Sequence, residues 1–235
     1  MDKLYIVIPA YNEEANIESV TKEWHEVVQQ INDESMLCII DDGSKDNTYD
    51  KLLSLKDDFP QMEVINKANG GHGATVLYGY KHALINGADY VFQTDSDGQT
   101  ISSEFASFWE RRNKYDFIIG FRKNRKDGFS RILVTKVLRV ILFFQFGKWI
   151  KDANTPFRLM SASSLKEIIK EIPDNHNLSN VLLSVLYHKR KKRIKYIPIT
   201  FRPRQGGVNS INFKRIIKIG FKAVKDFAKF NKTKI

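Results

Sequence analysis

The sequence predicts an α/β fold, a mostly parallel central sheet flanked by helices. Three observations predict it. Apolar strand-like runs alternate with amphipathic helical segments through the first half of the chain, as in a right-handed parallel sheet. A polar cluster follows each of the first four strand-like runs, where open sheets of this class bind ligands. The 235 residues, 42% hydrophobic and 28% charged, suffice to bury one good core.

Taken in order, "LYIVIPA" reads as a buried strand, and "EEANIESVTKEWHEVVQQI" carries helical spacing at Ile17, Val20, Trp24, Val27 and Val28. "MLCIIDDGS" is a second buried strand, followed by a helix from about Asn47 to Leu55. "MEVINKA" is a third strand, and "GATVLYGYKHALING" a helix entered through glycines. "ADYVFQTDSDGQ" is a fourth strand running into an acidic motif. The clusters "PAYNEE", "DDGSKDNT", "NKANGGHG" and "DSDGQ" therefore converge on one edge of the sheet. "NGGHGA" follows the third strand rather than the first, which disfavours a dinucleotide-binding dehydrogenase. Its glycines either let backbone amides approach an anion or tighten the turn; His72 within it reads as an exposed loop histidine or a ligand.

The acidic motif sets the chemistry. In an extended segment, residues two apart point to one side, roughly 6.5–7 Å apart. Bare carboxylates at Asp95 and Asp97 would repel by roughly 2 kcal/mol. A hard divalent cation, Mg²⁺ or Mn²⁺, turns that repulsion into coordination by oxygen ligands. A solvated acidic turn is the alternative, and four clusters on one edge argue against it.

Charge is divided unevenly. Residues 1–110 hold 7 Lys+Arg against 20 Asp+Glu, and residues 111–235 hold 31 against 7, within a net charge of +11. The basic half therefore suits an anionic partner: nucleic acid, anionic lipid or a phosphorylated substrate. "HKRKKR", residues 188–193, leads straight into a strand and lacks interleaved aromatics, which argues against nucleic acid. The single cysteine, Cys38, sits in "MLCII", reads as a buried inert thiol and permits no intramolecular disulfide. The N-terminus lacks the apolar core of a signal peptide.

Together, "IVIPAYNEEANI", "CIIDDGSKDNT", "NGGHGATVLYGYKHA", "DSDGQ", "KDANTPFRLM" and "YIPITFRPRQGG" resemble family 2 glycosyltransferases, most closely dolichol-phosphate mannose synthases and polyprenyl-phosphate glycosyltransferases. The resemblance covers nearly the whole chain and implies one GT-A type domain, residues 1–235. Its nucleotide-sugar-binding half is residues 1–110 and its acceptor-binding half residues 111–235. It further implies that Pro9, Tyr11 and Glu13 line the nucleotide pocket and that Asp42 hydrogen-bonds the base. Asp95 and Asp97 would hold the cation, with Gln99 as a third oxygen and Ser96 against the ribose or metal-proximal backbone. Asp97, Arg122 and Arg131 would carry catalysis, the arginines clamping acceptor phosphate or leaving diphosphate with Arg204 beside them. Arg125 could join them. Asp152 and Arg158 would form a structural ion pair that shapes the acceptor loop, or would contact substrate. The run "GGVNSI" departs from the Ser-Lys that follows the glycine in many mannose synthases, which weakens an assignment to GDP-mannose.

The implied reaction moves a sugar, with inversion, from a GDP- or UDP-linked donor to a polyprenyl or dolichyl phosphate. Such an acceptor is already ionised near neutral pH, its second pKa being about 6, and needs no strong base. The alternative acceptor is a sugar hydroxyl of a growing glycan, with Asp152 or another carboxylate as base. Residues 132–150, "ILVTKVLRVILFFQFGKWI", are apolar but carry Lys136 and Arg139, each costing roughly 2.5–3.5 kcal/mol near a bilayer centre. An interfacial or core-packed helix is expected there rather than a span. The tail "NFKRIIKIGFKAVKDFAKFNKTKI" reads as a basic amphipathic helix, bound to an anionic membrane surface or packed on the core. Peripheral association at the cytoplasmic face, or a membrane-protein partner, follows as the expectation.

Overall fold

The computed structural model describes residues 1–122 and 129–203, with side chains excepted for 129–136. A seven-stranded sheet of order β3-β2-β1-β4-β6-β5-β7 runs through it. Its strands are β1 (Leu4–Ala10), β2 (Met36–Asp41), β3 (Met62–Asn66), β4 (Tyr90–Gln93), β5 (Phe117–Arg122), β6 (Arg158–Ser161) and β7 (Ile194–Ile199). The helices are α1 (Ile17–Gln29), α2 (Thr48–Ser54), α3 (His72–Ile85), α4 (Ala106–Trp109), α5 (Phe129–Phe146), α6 (Ala162–Ile168) and α7 (Ser179–Lys189).

The first four strands are mutually parallel, so their carboxyl ends share one edge. β6 enters antiparallel between β4 and β5, and β7 runs parallel to β5. Both halves of the chain thus contribute to one sheet. β1 and β2 are buried along almost their full length, as the continuous apolar runs require of strands covered on both faces. Alternation divides their side chains: Leu4, Ile6, Ile8, Leu37 and Ile39 pack with Trp24 of α1, while Tyr5, Val7, Cys38 and Ile40 pack under α3. Gly79 permits that second contact, since a Cβ there would lie 2.4 Å from Val7 and Ile40 methyls. The close approach sets the line of α3 and delivers its N-terminus to the carboxyl edge.

Candidate active site

The carboxyl edge is assembled by hydrogen bonds between loops distant in sequence. After β1 the chain turns through Asn12, whose φ of +54° lies in the left-handed region that Asn tolerates. Its amide donates to Ser44 Oγ (2.9 Å), and its Oδ1 accepts from the Lys45 amide (2.8 Å), joining the turns after β1 and β2. Pro9 ends β1 buried, Tyr11 is exposed, and buried Glu13 accepts from Asn16 Nδ2 (2.9 Å).

Asp42 is almost wholly buried, yet its carboxylate is well satisfied. Oδ1 accepts from Lys67 Nζ and the Gly70 amide (2.8 Å), and Oδ2 from the Gly71 amide (2.9 Å). Burial alone would raise its pKa; the Lys67 ammonium and the Gly70 N–H outweigh it and hold the carboxyl below the usual range. Asp42 therefore clasps the glycine loop that starts α3. Gly71, at φ +84°, supplies the left-handed turn before His72.

β4 stops at Gln93, so the acidic residues lie on a loop, not in the extended segment expected. The two-residue strand spacing therefore does not govern them; Gly98, at φ +67°, helps fold the loop. Ser96 Oγ donates to the Pro9 carbonyl (2.9 Å), and Thr94 is tied by its amide to the Val7 carbonyl and by its hydroxyl to Thr100. These bonds seat Asp95 and Asp97 against the end of β1. Asp97 Oδ1 accepts from the Gln99 amide (3.1 Å), and Asp95 Oδ1 lies 3.1 Å from His72 Nε2. Gln99 is buried; its Nε2 donates to the Arg202 carbonyl (2.9 Å) while its own carbonyl accepts from the Arg202 amide (2.8 Å). Half-buried carboxylates on a braced loop are a donor set suited to a hard divalent cation.

Residues 5–169 match the family described as Glycosyl transferase family 2. The chain belongs to that family. It is 29% identical over 219 residues to the UDP-N-acetylglucosamine–dolichyl-phosphate N-acetylglucosaminyltransferase of Methanococcus voltae, covering 84% of this chain and 85% of that one. Its fold matches glucosyl-3-phosphoglycerate synthase of Mycobacterium tuberculosis. The complex of that protein with Mn²⁺, UDP-glucose and phosphoglyceric acid superposes with a TM-score of 0.72 at 16% identity, over 98% of this chain and 80% of that one. Its UDP complex gives 0.71, also at 16% identity with coverages of 98% and 80%. The expected GT-A fold is the fold observed.

In the second half of this family 2 glycosyltransferase, one expected contact is replaced by another. Asp152 does not pair with Arg158. It takes two hydrogen bonds from Arg122, Nε to Oδ2 and Nη2 to Oδ1, both 2.8 Å, and the guanidinium lies over the Phe201 ring. Arg158, fully buried on β6, donates instead to the carbonyls of Ala153, Thr155 and Asn180. The reason is strand geometry. Arg158 stands opposite Gln93 in the register and turns toward α7, whereas Asp152 lies in the preceding loop beside the end of β5. Arg125 and Arg204 lie outside the described residues, as does the basic tail; Arg131 falls on α5, its side chain outside them.

Three residues make contacts at this edge that the sequence reading did not assign to them. Lys67 binds Asp42, Arg202 brackets Gln99, and His72 faces Asp95. Of these, only His72 carried a local signal, its place between glycines at a helix start.

Along α5, Leu142 and Phe146 pack on the core beneath the helix, while Phe144 is 81% exposed and Val137, Val140 and Phe143 are also open. Trp149, 59% exposed, lies edge-on to Phe143, with the Arg139 guanidinium over it. One face of this helix packs on the core, as expected of a core-packed helix, and the other presents apolar side chains to solvent. Among the described residues, no helix is long and apolar enough to cross a membrane.

Proposed function

We propose that this enzyme transfers a sugar from a UDP- or GDP-linked donor to a polyprenyl or dolichyl phosphate while resting on the cytoplasmic face of a membrane. The observation that carries this reading is the acidic loop braced against Pro9, in a chain whose α5 exposes an aromatic ridge. Asp95 and Asp97, with Gln99 close by, would hold Mg²⁺ or Mn²⁺. Bound there, the cation would supply Lewis-acid neutralisation of charge on the departing diphosphate. Pro9, Tyr11, Glu13 and Ser96 would line the nucleotide pocket. Asp42 would meet the base from the clasp it forms with Lys67 and the glycine loop. The relatives' Mn²⁺ and UDP-sugars support trying UDP-linked donors first.

A lipid phosphate acceptor arrives ionised, so no residue must remove a proton from it. Its charge calls for guanidinium forks instead. Arg122 stands at the end of β5, Arg131 on the helix that follows, and Arg204 beyond β7. Arg122 would exchange Asp152 for the acceptor phosphate or share itself between them. The glycan-hydroxyl alternative needs a free carboxylate base, and Asp152 is occupied by Arg122. The apolar ridge of α5 and the basic tail would keep the active edge at the lipid surface, alone or beside a membrane-protein partner.

The test is turnover of UDP-N-acetylglucosamine with Mn²⁺ and a short polyprenyl phosphate. Product formation that stops on removal of either the metal or the lipid phosphate supports the reading. Transfer to glycan hydroxyls with no use of the lipid phosphate would overturn it.

A further inference from the structure

A second cluster of ligating side chains lies under α3, toward the end of that helix remote from the acidic loop. His82 is ten residues beyond His72, about 15 Å along the helix axis. Cys38 of β2 and Glu63 of β3 are register partners in a parallel pair, so their side chains leave the same face of the sheet side by side. That face is the one beneath α3, where Cys38 packs with Leu77, Tyr80 and Ala83. The Cys38 sulfur, one imidazole nitrogen of His82 and one carboxylate oxygen of Glu63 all lie within 4.8 Å of one another.

The hydrogen bonding at this corner is internally opposed. Glu63 Oε2 sits 2.7 Å from His82 Nε2, which calls for a positive centre at that nitrogen. Asn86 Nδ2 sits 3.1 Å from the same nitrogen, which calls for its lone pair. Turning the Asn86 amide over only moves the conflict, because Nδ2 also donates to the His82 carbonyl (2.9 Å). A metal ion at that nitrogen would meet the demand of Glu63 while leaving the imidazole neutral, and the Asn86 amide would keep its bond to the His82 carbonyl.

We propose that Cys38, Glu63 and His82 form a metal site for Zn²⁺ or a like transition ion, clamping β2, β3 and α3. A thiolate, an imidazole and a carboxylate are a donor set for Zn²⁺ rather than Mg²⁺. A tetrahedral Zn²⁺ spaces its ligand atoms about 3.3–3.8 Å apart, so small side-chain shifts bring the three into place. The fourth position falls to water, reached past His82 and Glu63, whose side chains are 22% and 34% exposed. Binding exchanges the Cys38 S–H bond for an S–metal bond and releases that proton to solvent, with no change of oxidation state. The role is structural, far from the donor edge and independent of the proposed sugar transfer.

The test is Co²⁺ titration of the full chain after chelator treatment, read by absorbance. Cys38 is the one cysteine in the sequence, so a thiolate-to-cobalt charge-transfer band reports this site alone. The expected result is a band that saturates at one equivalent, is displaced by Zn²⁺ and persists in the D95N/D97N double variant. Zn²⁺ at about 100 times its Kd should raise Tm by about 5–10 °C. Glu63→Gln and His82→Asn, which keep the side-chain shapes, should each weaken binding by about 100-fold or more, while circular dichroism verifies their fold. No charge-transfer band in the wild-type chain would overturn the proposal. So would a band whose affinity is unchanged in both variants, because the sulfur would then bind without its two partners.

Discussion

The carboxyl edge of the sheet and the flank formed by β5, α5 and the loop before β6, which the proposed function reads as donor edge and acceptor flank, are built on different principles. At the donor edge, short polar loops at the ends of β1, β2, β3 and β4 brace one another through backbone groups: Ser96 to Pro9, Asn12 to Ser44 and Lys45, Asp42 to Gly70 and Gly71. At the acceptor flank, side chains meet side chains across long separations, with Arg122 on Asp152 and an aromatic ridge facing solvent. Bracing of this kind fixes position before any ligand arrives, which suits a preorganised charge site. Side-chain pairing leaves groups that can change partner, as the proposed binding of a lipid-borne phosphate requires.

If that contrast is right, the largest effect comes from the donor edge. Asp97→Ala should lower turnover by on the order of 10³-fold, the scale at which preorganised electrostatic contacts act. Tm should move little, since half-exposed polar sites usually lie within about 0.5 kcal/mol. Activity and melting measured on one preparation check this, and retained turnover would remove the acidic loop from the chemistry.

On the acceptor side, Arg122→Ala should raise KM for the lipid phosphate by about 10- to 100-fold and leave KM for the nucleotide-sugar nearly unchanged. Asp152→Asn provides the control, because it loosens the same pair yet keeps the guanidinium. Steady-state kinetics with each substrate varied separate the two. An equal Tm loss in both variants with no change in acceptor KM would make the pair purely structural.

The donor edge was legible in the sequence because its determinants are local. Strand-length apolar runs ending in Pro9, Asp42 and Asp95 place those residues on one edge as soon as the strands are parallel. The loop conformation of Asp95–Gln99 was not legible, because a strand and a loop that continues it share composition until Gly98. The acceptor flank resisted for a different reason. β6 pairs antiparallel between β4 and β5, and no local pattern announces an inserted strand. Asp152 has Arg158 nearer in sequence, but the register opposite Gln93 turns Arg158 inward and leaves Arg122 as the partner. Lys67 was missed likewise, its carboxylate lying 25 residues away.

The Asp42 clasp sharpens the comparison by asking what bracing contributes to stability. Asp42→Asn leaves Lys67 without its countercharge and weakens two amide contacts, a loss of about 2 kcal/mol. For a chain of this size Tm should fall by about 4–8 °C. Because the folded carboxyl titrates below its unfolded value, this contribution is present at neutral pH and is lost as pH falls through the folded pKa. Denaturant titrations at pH 7 and at pH 3 should therefore show the gap between wild type and variant closing in acid. A constant gap would mean that shape, not charge, holds the glycine loop.

The smallest effect tests whether the acceptor flank meets lipid at all. Among the described large apolar side chains of α5, Phe144 is the most open, and an exposed aromatic ring gains nothing from water. Partial insertion of the ring at an interface would contribute about 1 kcal/mol, less than full burial of a Phe. Phe144→Ser should accordingly weaken binding to anionic vesicles about fivefold, measured by flotation at low salt. Turnover of a short, water-soluble polyprenyl phosphate should stay the same, because the residue is not among those proposed to hold donor, metal or acceptor phosphate. Raising salt should weaken both proteins in parallel if the basic half supplies a separate electrostatic attraction. Equal flotation of the two proteins would mean that the ridge faces something other than lipid, and the contrast between a fixed donor edge and a membrane-seated acceptor flank would lose its second half.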